Sequence, residues 1–201
     1  MIPSLPTVRP ETHDKDMARD FLAGLDPNAG RFTFQFFSDG ADRYAEIFHG
    51  TLDEVWPKVQ ALNTPQRGIG VFVTINETDF MGRRSKNIVR TRALFVDTDS
   101  REQVERCVET FTACGVTPSM AVKSGRGLHF YFFADDIPLD QFTTLQKSLI
   151  QKVRTDPAIH DLPRVMRLPG TLHLKDPTKP RLVTLYRGNE PVCTENLIRI
   201  E

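Results

Sequence analysis

Cysteine is scarce: three occur among 201 residues, Cys107, Cys114 and Cys193, and no two form a CxxC pair. That excludes a disulfide framework and a cysteine-rich zinc site, and it points to a reducing compartment, the cytoplasm. Cys107 and Cys114 fall in one helical pattern and read as core thiols. No apolar run approaches the ~18 residues of a membrane span, and Met1 to Pro10 lacks the basic-then-apolar order of a signal peptide. Internal repeats and low-complexity tracts are missing. Neither charge sign is in excess, with 26 Lys+Arg against 26 Asp+Glu, so a polybasic coat for nucleic acid is excluded. What is plentiful is apolar: 39% hydrophobic residues and 14 Phe suffice for a real core and exclude wholesale disorder. The length suits one domain burying ~70% of its unfolded surface.

The order of elements suggests two lobes. Residues 1–90 read as an N-terminal α/β lobe. After a proline-rich arm comes a helix near Asp14 to Leu25, then strands RFTFQFF and RYAEIFH joined by SDGAD. Thr51 to Glu54 is a capping box opening a helix with Val55, Val59 and Leu62 on one face. Ile69 to Ile75 is a buried strand, followed by the basic stretch ETDFMGRRSKN. Residues 91–190 read as strand (RALFVD), helix, strand (SMAVKS), strand (LHFYFF), helix, strand (RVMRL), with RLVTLY added. That is the split β-α-β-β-α-β, ferredoxin-like or RRM-like pattern. It implies an α+β fold whose first strand is central, flanked by the third and the last. Residues 191–201 form a tail.

Three segments carry candidate chemistry. Asp97-Thr98-Asp99 closes an apolar strand, so its carboxylates point to one face. They repel unless a cation bridges them, and oxygen ligands favour Mg²⁺ or Mn²⁺. Two such ions ~3.5–4 Å apart serve phosphoryl transfer. The plainer alternative is that Asp99-Ser100 only caps the next helix. Lys123-Ser124-Gly125-Arg126-Gly127 gathers phosphate-compatible donors around glycines that admit an anion; alternatively it is a hairpin turn. On the following strand His129, Tyr131 and Phe133 share a face. Finally, Asp161 to Lys175 sets a carboxylate, Arg164, Arg167 and Lys175 around a Leu-Pro-Gly turn. Arginine forks match phosphate oxygens.

In this order the motifs ALFVDTD, SGRGLHFY and DLPRVMRLPGTLHLK resemble those of the archaeo-eukaryotic primase superfamily, most nearly the primase-polymerase branch of plasmid, phage and CRISPR-associated replication proteins. The resemblance covers roughly residues 30–187. It implies a single primase-polymerase catalytic domain over 1–201: an enzyme that joins nucleoside triphosphates to a 3′-hydroxyl on a template, by two Mg²⁺ or Mn²⁺ ions, with pyrophosphate release. Its partners would be single-stranded DNA template, primer, and dNTP or NTP, with a helicase or helical domain in a longer protein, and no membrane. By the same resemblance Asp97, Asp99 and Asp161 hold the metals, with Asp156 the rival for the third place. His129 contacts the phosphates of the incoming nucleotide, and Lys123, Ser124, Arg126, Arg164, Arg167 and Lys175 complete the nucleotide site. Tyr131 is a candidate for sensing the sugar 2′ position. His173 stands where many relatives carry Asn, and the zinc-binding insert of many primases is missing.

Two other classes fit parts of the pattern. One is a different DxD metal enzyme, a nuclease or glycosyltransferase. The other is a non-catalytic RRM-like single-strand binder with Tyr131 and Phe133 as its stacking platform. The charge partition favours an enzyme cleft. Residues 67–92 hold six basic against two acidic residues, and 162–187 six against one, while 93–122, around Asp97 and Asp99, hold two against five.

Overall fold

The computed structural model describes residues 12–38, 44–125, 127–134 and 136–187. Helix α1 (Lys15–Leu25) starts where Asp14 accepts the Met17 N–H and buries Ala18, Phe21, Leu22 and Leu25. Strands β1 (Phe32–Ser38) and β2 (Ala45–Gly50) pair antiparallel; the SDGAD turn lies largely outside the described residues. The Thr51–Glu54 capping box forms at the start of α2 (Leu52–Leu62). Strand β3 (Ile69–Thr74) is buried throughout because both of its faces are covered. The short strands β4 (Glu77–Thr78) and β5 (Ile88–Arg90) bracket the basic stretch. Then follow β6 (Ala93–Asp97), α3 (Arg101–Ala113), β7 (Met120–Lys123), β8 (Leu128–Phe133), α4 (Leu139–Val153), β9 (Val165–Arg167), β10 (Leu172–His173), β11 (Arg181–Leu182) and β12 (Thr184–Arg187). No helix among the described residues is long and apolar enough to cross a membrane.

The α+β class holds, and two four-stranded sheets carry it, ordered β2-β1-β3-β9 and β12-β7-β8-β6. One detail differs from the ferredoxin-like expectation. β6 is an edge strand, and β9 does not flank it. Instead β9 pairs with β3 of the other sheet, Phe72 opposite Arg167 and Thr74 opposite Val165. β12 occupies the far edge beside β7.

The exposed edge of β6 would leave polar backbone groups unpaired in the core. Gln146 of α4, fully buried, meets this need. Its Oε1 accepts the Phe95 N–H (3.2 Å), and its Nε2 donates to Phe95 O (2.6 Å) and to Ile159 O (3.0 Å). An amide side chain thus stands in for a fourth strand. The same face packs through aromatics: Phe111 of α3 meets Phe130 and Phe132 edge-on at 5.3 and 5.0 Å. On the opposite face α1 covers β8, with Phe21 against Tyr131 at 5.2 Å. The exchange of β9 has a functional consequence: it brings Arg164 to Arg167 on one sheet to face Asp97 and His129 on the other.

Candidate active site

A cavity of about 670 Å³ opens between the sheets, lined among others by Asp97, Asp99, Ser124, His129, Arg164, Arg167 and Lys175. The residues that turn Asp97 and Asp99 into it lie between and beside them. Thr98 is buried and locks onto β8: its N–H and Oγ1 both donate to Leu128 O (3.1 and 2.8 Å), and Oγ1 accepts the Leu128 N–H (2.8 Å). Gly127 permits the approach, since a Cβ there would sit 1.5 Å from Thr98 O. The helix cap is Ser100, whose Oγ accepts the Gln103 N–H, while Gln103 Oε1 accepts the Asp99 N–H at 2.6 Å. Asp99 therefore does not cap α3 with its carboxylate, which lies at the cavity wall instead.

Burial, then repulsion from Asp99 and from Asp156, pushes Asp97 up to about 7. The charges of Arg164 and Arg167 offset part of that effect. With all-oxygen donors in a solvent-reachable cleft, the set suits a hard divalent ion.

His129 on β8 lies opposite Asp97 in the ladder. Burial, helped by Arg167 and His173, pushes it down to about 3, so it is neutral near pH 7. Its Nε2 lies 3.3 Å from Asp97 Oδ1, and with the ring neutral this contact is not an ion pair. Nε2 also meets Ser124 Oγ at 2.6 Å, and Nδ1 meets the Tyr131 hydroxyl at 3.4 Å. Burial raises Tyr131 well above its ordinary value, so it keeps its proton. Nε2 is the nitrogen on the side of Ser124 and Asp97.

The cationic wall comes from the other sheet and from the β10–β11 hairpin. Arg167 stacks on Phe72 (4.7 Å) and is held flat against the cavity. Arg164 donates to Ala158 O (2.6 Å) and pairs with Asp161. Asp161 is the predicted ligand that the structure sets apart: it is not a lining residue, and its charge acts on Arg83 and Arg164. Asp156, the rival, is the carboxylate whose charge acts on Asp97. No cluster of three metal-ligating side chains occurs among the described residues. Lys123 is exposed at the end of β7 and is not a lining residue. Arg126 lies outside the described residues. Tyr131, the candidate for the sugar, is fully buried beneath α1, which removes it from that role. The reading of the sequence stopped at Lys175 and missed Asp176, Lys179 and Arg181, which also line the cavity. Their signal was the basic excess of residues 162–187.

Residues 45–199 match the RepB DNA-primase N-terminal domain family. The chain belongs to that family. Its fold is shared with solved relatives of low identity. The AEP domain of the cyanophage S-2L primase-polymerase superposes with TM-score 0.70 at 19% identity, covering 94% of this chain and 98% of that one. The primase RepB' matches with TM-score 0.68 at 16% identity over 92% of this chain and 60% of its own. The catalytic domain of RepB', solved in complex with initiator DNA, gives 0.65 at 17% identity over 92% and 90%. No curated protein sequence matches. Membership in the RepB DNA-primase family agrees with the archaeo-eukaryotic primase resemblance of the three motifs, of which Asp97, Asp99, Ser124, His129, Arg164, Arg167 and Lys175 line one cleft.

Proposed function

We infer that this protein is a template-dependent DNA primase-polymerase, a nucleotidyltransferase that joins dNTP or NTP to a 3′-hydroxyl and releases pyrophosphate. One observation carries the reading: in a member of the RepB DNA-primase family, the Asp97–Asp99 pair, the His129–Ser124 pair and the Arg164–Arg167 strand face one another across a single cavity.

Asp97 and Asp99 would hold two Mg²⁺ or Mn²⁺ ions, with Asp161, the ligand the motif order suggests, or Asp156, the one nearer in charge, completing the set. Bound there, the ions would lower the pKa of the attacking hydroxyl and offset charge on the leaving pyrophosphate. The chain's own groups do the rest. Neutral His129 would meet a phosphate oxygen without adding a charge that would repel a metal. Ser124 orients that ring. Arg164, Arg167 and Lys175 balance the triphosphate. The locked Thr98 keeps the acids from reorganising, so catalysis is positioning and charge neutralisation.

The non-catalytic reading loses its platform, since Tyr131 is buried under α1. The test is a set of parallel incubations of the protein with Mn²⁺: dNTPs on one single-stranded template with and without primer, a labelled single strand alone, and nucleotide sugars. Extension products identify a polymerase, and products without primer identify a primase. Strand cleavage or sugar transfer in place of extension refutes the reading.

A further inference from the structure

The basic stretch between β4 and β5 takes no part in the cavity, yet it is built with care. Asp79 accepts the Met81 N–H (2.8 Å) and, with both oxygens, Asn87 Nδ2 (3.2 and 3.1 Å). Buried Asn87 closes the loop from within: its Oδ1 accepts the Arg84 N–H (3.1 Å), and its backbone bonds to Asp79 and Arg84 (both 2.8 Å). Within this ring Phe80 takes a left-handed backbone (φ 58°), a conformation costly to an aromatic residue. The result is that Met81 points outward, 85% exposed, the most exposed large apolar side chain of those described.

Cations surround it. The Arg31 guanidinium sits over the Phe80 ring at 5.1 Å, and Arg84 and Lys86 are exposed. Asp79 turns its carboxylate into the loop, Glu77 pairs with Arg90, and the charge of Glu54 reaches Arg31 but is not paired with Arg84 or Lys86 in any described ion pair. The loop is also fixed beside the cleft. Arg83 donates to Pro163 O (2.7 Å) and Gln35 Oε1 (3.0 Å), and the next residue, Arg164, lines the cavity.

We propose that this loop is a docking surface for single-stranded DNA, feeding the strand past Arg164 into the cleft. Phosphates meet Arg31, Arg84 and Lys86, while a base lies on Phe80 and Met81, the pairing of cations with apolar faces that single strands require. The strand it would carry is the template, so the inference rests on the polymerase reading, but binding is measured without nucleotides or metal and stands or falls separately.

The experiment is fluorescence anisotropy of labelled oligo-dT across a salt series, with EDTA. The variant Met81→Ser/Arg84→Glu/Lys86→Glu weakens binding by about tenfold or more and flattens the slope of log K against log salt. Lys147→Glu/Lys152→Glu on α4, equal in charge change, stays near wild type. Unchanged binding by the loop variant, or equal loss in the α4 variant, overturns the proposal. A poly-glutamate peptide bound as tightly as oligo-dT overturns it as well, since the site then reads charge alone. Should the loop variant unfold, the ¹³C-methyl resonance of Met81 in the wild type decides: it shifts on adding oligo-dT, and an unmoved Met81 resonance refutes the site. Loss of binding in the loop variant of a protein that never extends a primer would sink the polymerase reading and leave the strand site standing.

Discussion

At the scale of single residues, the site depends on two groups whose ordinary protonation is reversed. Asp97 is raised to about 7 and His129 lowered to about 3. In the unfolded chain they titrate near ~4 and ~6.5. Between those values the folded state holds a proton on Asp97 that the unfolded state has lost, so this group makes stability fall as pH rises toward 7. His129 does the opposite: the unfolded state is protonated and the folded one is not, so stability falls as pH drops below ~6.5. The two oppose each other in the metal-free protein. Asp97→Asn removes one side. Its thermal midpoint, measured in EDTA, should fall more steeply on acidification from pH 6.5 than that of the wild type; parallel curves would count against the burial of this pair.

Much of this constellation was legible in the chain, because ALFVDTD and SGRGLHFY each place a polar residue on an apolar strand, and a strand's alternation fixes its direction. What could not be read was the service of the polar neighbours. Thr98 looks like a spacer and is a lock. Replacing it with Val removes the hydroxyl that satisfies Leu128 and should lower turnover more than nucleotide affinity, which steady-state kcat and KM will separate.

At the scale of elements, the misplaced strand is instructive. RVMRL has strand character in any sheet, and nothing local in it names a partner. The deciding residue was Gln146, an amide fully buried on α4. Gln146 pairs Phe95 on both backbone groups, which leaves no place for β9 beside β6. Gln146→Leu keeps the size and abandons three backbone groups, Phe95 N–H, Phe95 O and Ile159 O, at about 1–3 kcal/mol each. Urea unfolding should show that loss, and an unchanged midpoint would mean that the edge of β6 is satisfied in another way. The β10–β11 hairpin was the second omission, since Lys179 and Arg181 lie past the motif that drew attention. Lys179→Ala/Arg181→Ala should raise the KM for nucleotide severalfold with a smaller change in kcat, because these groups meet charge present in both ground and transition states.

At the scale of the whole molecule, the cleft exists only because two sheets are held at a fixed separation. One tie is a buried ion cluster. Asp26, the C-cap of α1, receives Arg92 (2.7 Å) and Arg90, while Glu77 holds Arg90 at 2.7 Å. Burial works against the Asp26 charge, and the hydrogen bonds from Arg92 and Arg90 outweigh it, keeping the carboxyl below its usual range. Asp26→Asn takes from buried Arg92 its nearest carboxylate, leaving Glu77 at 3.7 Å, and should cost about 3–5 kcal/mol in urea unfolding. The zero net charge, which excludes a uniformly basic binder, is compatible with this architecture, because Asp97 and Asp99 lie across one cavity from Arg164 and Arg167.

The central claim is that this cavity performs nucleotidyl transfer through Asp97 and Asp99. The most direct measurement is extension of a labelled primer on a single-stranded template with Mn²⁺, comparing wild type with Asp97→Ala and Asp99→Ala proteins whose circular dichroism is unchanged. The wild type should extend, and both variants should lose incorporation by orders of magnitude. A folded Asp97→Ala protein that extends the primer at the wild-type rate would contradict the account.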